Sequence, residues 1–141
     1  MKIIIAGSGE VGSHLAKLLS YESLEITLID SNDEKLSFPN SQLDIKVVQG
    51  DCTSISTLKK SNISDCDLFV GVTASESVNV LACYLAGKLG AKKTIARISN
   101  PELTKEDDLD FESLGISELI SPEILTSKEI NMVINRSEFT D

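Results

Sequence analysis

The chain has 141 residues, 41% of them hydrophobic and 25% charged, a composition typical of one globular domain. Its formal net charge of −9 opposes binding to nucleic acid or to an anionic membrane, and its longest aliphatic run is far shorter than the roughly 20 residues of a membrane span. Three cysteines without a C-x-x-C pair indicate neither a disulfide framework nor a zinc site, and we expect a cytoplasmic protein.

Short aliphatic runs alternate with segments of helical periodicity along the whole chain. The runs predict strands at Lys2–Ala6, Ile26–Ile29, Ile45–Val48, Leu68–Val72, Thr94–Ile98 and Ser117–Ile120. Helices are predicted after the first strand, from a Thr53 cap to about Lys60, from Ser75 to Leu89, from Asn100, and from Ser121-Pro122-Glu123. Residues 37–44 have little pattern and predict a loop or a frayed helix end.

Two helices have apolar stripes that we expect to face the sheet. The first carries Val11, Leu15, Leu18 and Leu19; the longest carries Val78, Leu81, Ala82, Leu85 and Leu89. Strands joined by helical segments form right-handed βαβ units and a parallel sheet covered on both faces. The sequence therefore predicts one doubly wound α/β domain over residues 1–121, with a further helix and tail over residues 122–141.

Residues 7–12 (Gly7, Ser8, Gly9, Glu10, Val11 and Gly12) fit the G-x-G-x-x-G pattern of a Rossmann-like phosphate loop. The first glycine permits a tight turn, the second lets the backbone approach a pyrophosphate, and the third allows close packing of helix on strand. The helix N-terminus then offers N–H groups and a positive dipole end, so an acidic protein can hold an anion. The alternative is a tight strand-to-helix turn without a ligand.

Asp30 ends the second strand, where a carboxylate accepts hydrogen bonds from the hydroxyls of an adenosine ribose. It would repel a 2′-phosphate, and the neighbouring Ser31 supplies no positive charge, so NAD is favoured over NADP. The alternative is that Asp30 caps the following turn.

Three further strand ends border the expected ligand crevice. Asp51, with Cys52 beside it, follows the third strand and is placed to reach an adenine amino group. Thr73-Ala74 follows the fourth strand and would line the half of the crevice that holds the nicotinamide ribose. For Asp51 and for Thr73, a role as a turn or cap residue is an equal alternative. Arg97 lies in the apolar fifth strand, where a guanidinium needs a partner, either a ligand phosphate or a carboxylate such as Glu76.

Two features are typical of enzymes but are better explained without catalysis. Tyr84 and Lys88 match the Y-x-x-x-K pair of short-chain dehydrogenases, yet both fall beside the apolar stripe of a helix, where solvated side chains are ordinary. His14 is the only histidine and has no second histidine with which to form a metal site.

Six segments together resemble one family. They are M-K-I-I-I-A-G-S-G-E-V-G at 1–12, I-T-L-I-D at 26–30, V-V-Q-G-D at 47–51, D-L-F-V-G-V-T at 67–73, I-A-R-I at 95–98 and L-I-S-P-E at 119–123. In this order they are similar to the N-terminal nucleotide-binding domain of the TrkA proteins, the KTN or RCK domain of potassium transport regulators.

The resemblance implies a sensor and not a catalyst. It implies binding of NAD or NADH, with ATP, ADP or AMP as less favoured ligands, and docking on the cytoplasmic side of a membrane potassium-translocating subunit. It also implies dimers within a larger ring. It would place the pyrophosphate on Gly7–Val11, the ribose on Asp30 and further contacts on Asp51, Thr73-Ala74 and Arg97.

Two departures from the family pattern bear on the expected ligand and on chain length. Members that prefer ATP often carry a basic residue where this chain has Glu10, and an acid there opposes a γ-phosphate and favours NAD. TrkA proteins usually continue into a smaller C-terminal lobe, so we expect either one domain of a longer protein or a single-domain subunit.

The segment opened by Pro122 indicates self-association. Its apolar residues, spaced so as to occupy more than one helical face, are Ile124, Leu125, Ile130, Met132, Val133 and Ile134. We expect this helix to cross to a second subunit in a homodimer; the alternative is that it folds back on its own sheet.

Two enzyme classes compete with the sensor interpretation. A nicotinamide-dependent oxidoreductase needs a substrate domain and a positioned acid or base, and neither is evident. An S-adenosylmethionine methyltransferase is disfavoured by Gly12 and by the lack of an Asn/Asp-Pro-Pro-aromatic run after the fourth strand.

Overall fold

The computed structural model describes residues 1–105 and 108–121, and for residues 38–42 it describes the backbone alone. The strands are β1 (Lys2–Ala6), β2 (Glu25–Asp30), β3 (Lys46–Gln49), β4 (Leu68–Gly71), β5 (Lys93–Arg97) and β6 (Glu118–Ile120). The helices are α1 (Glu10–Ser20), α2 (Asp33–Gln42), α3 (Ile55–Lys60), α4 (Glu76–Lys88) and α5 (Pro101–Thr104), with 3₁₀ turns at Ile63–Asp65 and Glu112–Leu114.

The six strands form one sheet in the order β3-β2-β1-β4-β5-β6, and all neighbouring pairs are parallel. The chain runs outward from β1 to β3, returns to pair β4 with β1, and then continues to β6. This confirms the predicted doubly wound α/β fold. Because the strands are parallel, their carboxyl ends meet at one edge, and the order reverses between β1 and β4, where such folds bind ligands.

Alternate residues of β1 face two separate cores, as expected when side chains alternate across a strand. Ile3 and Ile5 pack with α1 and with Leu36 of α2 on one face. Ile4 and Ala6 pack with residues of α3 and α4 on the other face. Helices therefore cover both faces of the sheet, and the two central strands β1 and β4 are almost fully buried.

The buried face of α4 follows the predicted stripe except at Leu81. Leu81 is 48% exposed, and the buried residues of the helix are Asn79, Ala82, Cys83 and Ala86. Small side chains allow a close approach: a Cβ added to Gly71 of β4 would lie 3.2 Å from the carbonyl oxygen of Asn79. Val78, Ala82, Leu85 and Leu89 pack against the core as predicted, and only the prediction for Leu81 was wrong.

Two local predictions near the carboxyl edge are decided by the structure. Residues 33–42 form α2, so the helix end, and not the loop, is the correct alternative for most of residues 37–44; the Oδ1 of Asn32 accepts from the N–H of Glu34 at 3.0 Å. The prediction that Thr53 caps α3 was wrong, because the N-cap is Ser54. The N–H and the hydroxyl of Thr53 instead donate to Asp51. The other boundaries agree with prediction to within a few residues, the usual uncertainty of helix and strand ends.

The predicted terminal helix lies outside the described residues. Within the described ranges, no helix combines the length and the apolar content that crossing a membrane requires.

Candidate functional site

The glycine loop connects β1 to α1, and two of its glycines are required by the fold itself. Gly7 has φ of +109°, a conformation that favours glycine, and an added Cβ would lie 2.9 Å from the amide nitrogen of Thr73. A Cβ on Gly12 would overlap the carbonyl oxygen of Gly7. These two glycines therefore permit the sharp turn and the close packing of α1 on the loop.

Gly9 is different, because nothing in the folded chain requires a glycine there. Its φ of −70° and ψ of −162° are open to any residue, and an added Cβ would meet no atom within 4 Å. As N-cap of α1 it also brings no side chain to the first N–H groups of the helix, which lack partners within a helix. Gly9 thus leaves open space at the positively polarised end of α1.

The other residues of the loop occupy three environments. Ser8 is buried, and its hydroxyl oxygen has no hydrogen-bond partner among the described residues. Its carbonyl oxygen accepts from the Ser13 hydroxyl at 2.7 Å. Glu10 is exposed in the first turn of α1, and Val11 is half-buried against the core.

Asp30 joins the end of β2 to the glycine loop. Its Oδ2 accepts from the N–H of Ser8 at 2.8 Å, and its Oδ1 accepts from the N–H of Asn32 at 2.8 Å. The turn-capping role weighed above is therefore present. Since each carboxylate oxygen has two lone pairs, the half-buried group retains capacity for further donors such as ribose hydroxyls.

Asp51 is exposed at the end of β3 and is also held by its own turn. Its Oδ1 accepts from the N–H of Thr53 at 2.8 Å and from the Thr53 hydroxyl at 2.7 Å, and these bonds, the backbone one foremost, lower the pKa of the Asp51 carboxyl. Beside it, burial and the charge of Asp51 raise the pKa of the Cys52 thiol to about 11, so this thiol is protonated at neutral pH.

These strand ends enclose a cleft of about 380 Å³. Its walls include Gly7, Asp30, Ser31, Asp51, Cys52, Thr73 and Ala74 from the predicted site, together with Ile29, Lys35, Gly50, Ser75 and Val78. The structure thus brings most of the predicted strand-end residues together around one cleft beside the glycine loop. The remaining loop residues and Arg97 do not line it.

Arg97 lies at the end of β5 and is half-buried. Its Nη1 donates to the carbonyl oxygen of Thr73 at 3.3 Å. Glu76, one of the partners considered for Arg97, is bonded elsewhere: its Oε1 accepts from the N–H groups of Ser99 and Asn100, both at 2.9 Å. The guanidinium therefore lies on the β4 side of the glycine loop and supports the Thr73 segment of the wall.

One family model decides the relationship of this chain to known proteins: the model described as the TrkA-N domain matches residues 3–122. The chain belongs to the TrkA-N domain family. The Trk system potassium uptake protein TrkA of Haemophilus influenzae is 42% identical over 137 residues, which are 95% of this chain and 30% of that protein. A TrkA homolog of Methanothermobacter thermautotrophicus is 35% identical over 100% of this chain and 63% of its own length. This TrkA-N chain therefore spans less than two thirds of either relative.

Solved structures share the fold of this TrkA-N domain at low sequence identity. The TrkA-N domain of the Escherichia coli inner membrane protein ybaL matches 94% of this chain and 93% of its own, with a TM-score of 0.74 and 13% identity. The GsuK channel bound to NAD matches 84% of this chain and 21% of its own, with a TM-score of 0.70 and 18% identity. The AMP-bound Kef C-terminal domain of Shewanella denitrificans matches 98% of this chain and 85% of its own, with a TM-score of 0.67 and 21% identity.

Sequence reasoning missed two residues at or beside the candidate site. Lys35 of α2 lines the cleft together with Asp30 and Ser31, so the cleft also contains a cation. Asn79 is fully buried on α4 and contacts the ends of β4 and β5. A signal for Asn79 was available, since an amide between two valines on an apolar helix face needs buried partners.

The candidate enzyme residues lie away from the cleft. His14 is exposed on α1. The Lys88 ammonium lies 5.9 Å from the centre of the Tyr84 ring on the outer surface of α4, a surface cation–π contact. Among the described residues that line the cleft, the titratable ones are Asp30, Lys35, Asp51 and Cys52.

Proposed function

We propose that this TrkA-N domain binds NAD or NADH and acts as the nucleotide-sensing part of a potassium transport regulator. The observation that carries the proposal is Gly9, a glycine that the fold does not need, at the N-terminus of α1 in the loop whose Gly7 lines the cleft with Asp30. The buried, unpartnered hydroxyl of Ser8 in the same loop also fits a site that a ligand completes.

The proposed arrangement follows the order of the strands. The pyrophosphate lies on residues 7–12, with Glu10 opposing any further γ-phosphate. The adenosine lies over the ends of β2 and β3, with Asp30 and Ser31 at its ribose and Asp51 and Cys52 toward its base. The second nucleoside lies toward β4 and β5, near Thr73-Ala74 and Arg97. NAD remains favoured over NADP because Asp30 and Asp51 outnumber Lys35 in the cleft.

The proposed regulatory role rests on the relatives. Those reported above are named potassium uptake proteins. We propose that the domain is cytoplasmic, works as a homo-oligomer, and controls a separate membrane subunit that translocates potassium. Binding of NAD(H) would then act through the partner by favouring one of two arrangements of the domains.

Calorimetric titration of the purified chain with NAD, NADH, NADP, ATP, ADP and AMP tests the ligand. We expect the dinucleotides NAD and NADH to bind more tightly than the others. Failure of all six to bind would overturn the proposal. Preference for ATP would overturn the assignment of NAD(H) as ligand but not the assignment of a nucleotide site.

A turnover assay separates the sensor from the oxidoreductase alternative. The chain is incubated with NADH and a panel of ketones, and with NAD and a panel of hydroxy acids. Binding without a change in absorbance of the nicotinamide supports the sensor, whereas steady turnover of any substrate supports the enzyme.

Sedimentation tests the proposed homodimer. The intact chain and a version ending at Ser121 are compared at micromolar concentration. A dimer that is lost in the shorter chain supports association through residues 122–141, and a monomer in both contradicts it.

A further inference from the structure

Asn79 is a fully buried amide that uses both ends of its side chain at the carboxyl edge of the sheet. Its Oδ1 accepts from the N–H of Thr73 at 2.8 Å and from the Thr73 hydroxyl at 2.6 Å. Its Nδ2 donates to the carbonyl oxygens of Thr73 at 3.1 Å and Arg97 at 3.0 Å. One side chain of α4 thus links the segment that follows β4 to the end of β5 by hydrogen bonds.

These bonds fix the backbone of Thr73 on both sides of its Cα, because both its N–H and its carbonyl oxygen are held by the same amide. Thr73 in turn lines the cleft and faces the glycine loop, where its amide nitrogen would lie 2.9 Å from a Cβ on Gly7. Because Asn79 is fully buried, losing any of these hydrogen bonds without a replacement partner would cost free energy.

The sheet order places this network on one side only of the glycine loop. β4 and β5 lie on one side of β1, whereas β2 and β3, which carry Asp30 and Asp51, lie on the other. A ligand that reaches across both sides meets the wall held by Asn79, and a ligand confined to the β2–β3 side depends on it much less.

We propose that Asn79 is a positioning residue that makes the cleft select a dinucleotide over an adenosine mononucleotide. It does so by holding the Thr73 backbone where the second nucleoside of NAD lies. This inference rests on the proposed function, since it requires that the cleft binds NAD.

The test is the ratio of NAD affinity to AMP affinity, measured by calorimetry on the intact chain. Asn79→Ala removes all four hydrogen bonds, and we expect it to weaken NAD binding by about tenfold, the scale of one lost net hydrogen bond, and AMP binding by less than about twofold. Cys83→Ala is the matched control, because Cys83 is equally buried one turn further along α4 and bonds the Ile95 carbonyl instead. We expect the control to leave the ratio unchanged.

Asn79→Asp covers the case in which the alanine variant fails to fold. It keeps the size of the side chain and the Oδ1 acceptor, but places an oxygen against the carbonyl groups of Thr73 and Arg97, so the NAD to AMP ratio should again fall. Equal weakening of both nucleotides in a folded variant would show a merely structural role and overturn the inference. Wild-type protein that binds neither nucleotide would instead overturn the proposed function.

Discussion

The two sides of the carboxyl edge are held in different ways. On the β2–β3 side, Asp30 and Asp51 accept hydrogen bonds from residues two positions further along the chain, and Asp51 is exposed. On the β4–β5 side, Thr73 and Arg97 are held by Asn79, which is fully buried and comes from a different element. The β2–β3 side relies mainly on local turns, to which Asp30 adds one tertiary bond from the N–H of Ser8, and the β4–β5 side relies on a tertiary network that fixes backbone. One wall of the cleft therefore presents carboxylates, and the other presents the Thr73 segment held from α4.

Gly12→Ala should produce the largest effect, because the glycine loop joins the two sides. The new Cβ would overlap the Gly7 carbonyl oxygen, so α1 must move away from the loop, and we expect a loss of about 3 kcal/mol in the free energy of unfolding, the scale of overpacking. Urea denaturation measures it. Gly9→Ala is the control and should keep the wild-type midpoint, and a Gly12→Ala protein of unchanged stability would contradict the geometry described for the loop.

Gly9→Val should abolish dinucleotide binding while leaving the fold intact. The branched side chain enters space that is empty in the folded chain but that the proposed pyrophosphate fills. Calorimetry with NADH gives the affinity, and thermal unfolding gives the stability. Retained binding of any dinucleotide would remove the glycine loop from the proposed site on both sides of the edge.

Asp30→Ala should weaken NADH binding by about 1–3 kcal/mol, the cost of losing charge-assisted hydrogen bonds to the ribose. Since Asp30 also holds the N–H of Ser8, Asp30→Asn is the matched variant that keeps an acceptor for that bond. We expect the asparagine variant to fall between wild type and alanine. Unaltered NADH affinity in the alanine variant would show that Asp30 does not contact the ligand.

The smallest effect should come from titrating Asp51. Hydrogen bonds from Thr53 lower its pKa in the folded chain, so the stabilisation is present above the ordinary value of 3.8 and is lost as the pH falls through the lowered value. Because Asp51 is exposed, the difference in unfolding free energy between wild type and Asp51→Asn should be below about 1 kcal/mol at pH 7. It should shrink as the pH falls below 3.8, measured by urea denaturation at pH 7 and at successively lower pH, and a difference that grows on acidification would reverse the assigned cause.

The contrast between the two sides also explains what the sequence could predict. The glycine loop, Asp30 and Asp51 were recognisable because each is defined by neighbours along the chain: a preceding aliphatic run, a turn and a following helix. The six strands were recognisable for the same reason. Family membership was recognisable from ordered segments such as I-A-R-I at 95–98.

What the sequence did not reveal depends on distances between elements. The hydrogen bonds of Asn79 to Thr73 and Arg97 depend on the close packing of α4 against Gly71. Lys35 reaches the cleft from α2, whose weak apolar pattern left a loop and a frayed helix end open for residues 37–44. The sequence indicates that Asn79 needs buried partners, but the identity of those partners and the position of Lys35 follow only from the packing of the helices on the sheet.

The position of β1 in the middle of the sheet has a consequence for the order of events in folding. Its partner β2 follows within the first 30 residues, but the register of its other edge pairs Ile3 with Leu68, and the N–H of Lys2 donates to Asp67 at 2.8 Å. Closure of so long a loop is slow compared with forming a local hairpin or helix. During synthesis, the β2 side of the edge can therefore be assembled while the opposite wall is still missing. The proposed nucleotide would stabilise the finished domain by mass action, but both walls of the cleft exist only after β4 has been made, so binding to both walls cannot guide the earliest steps.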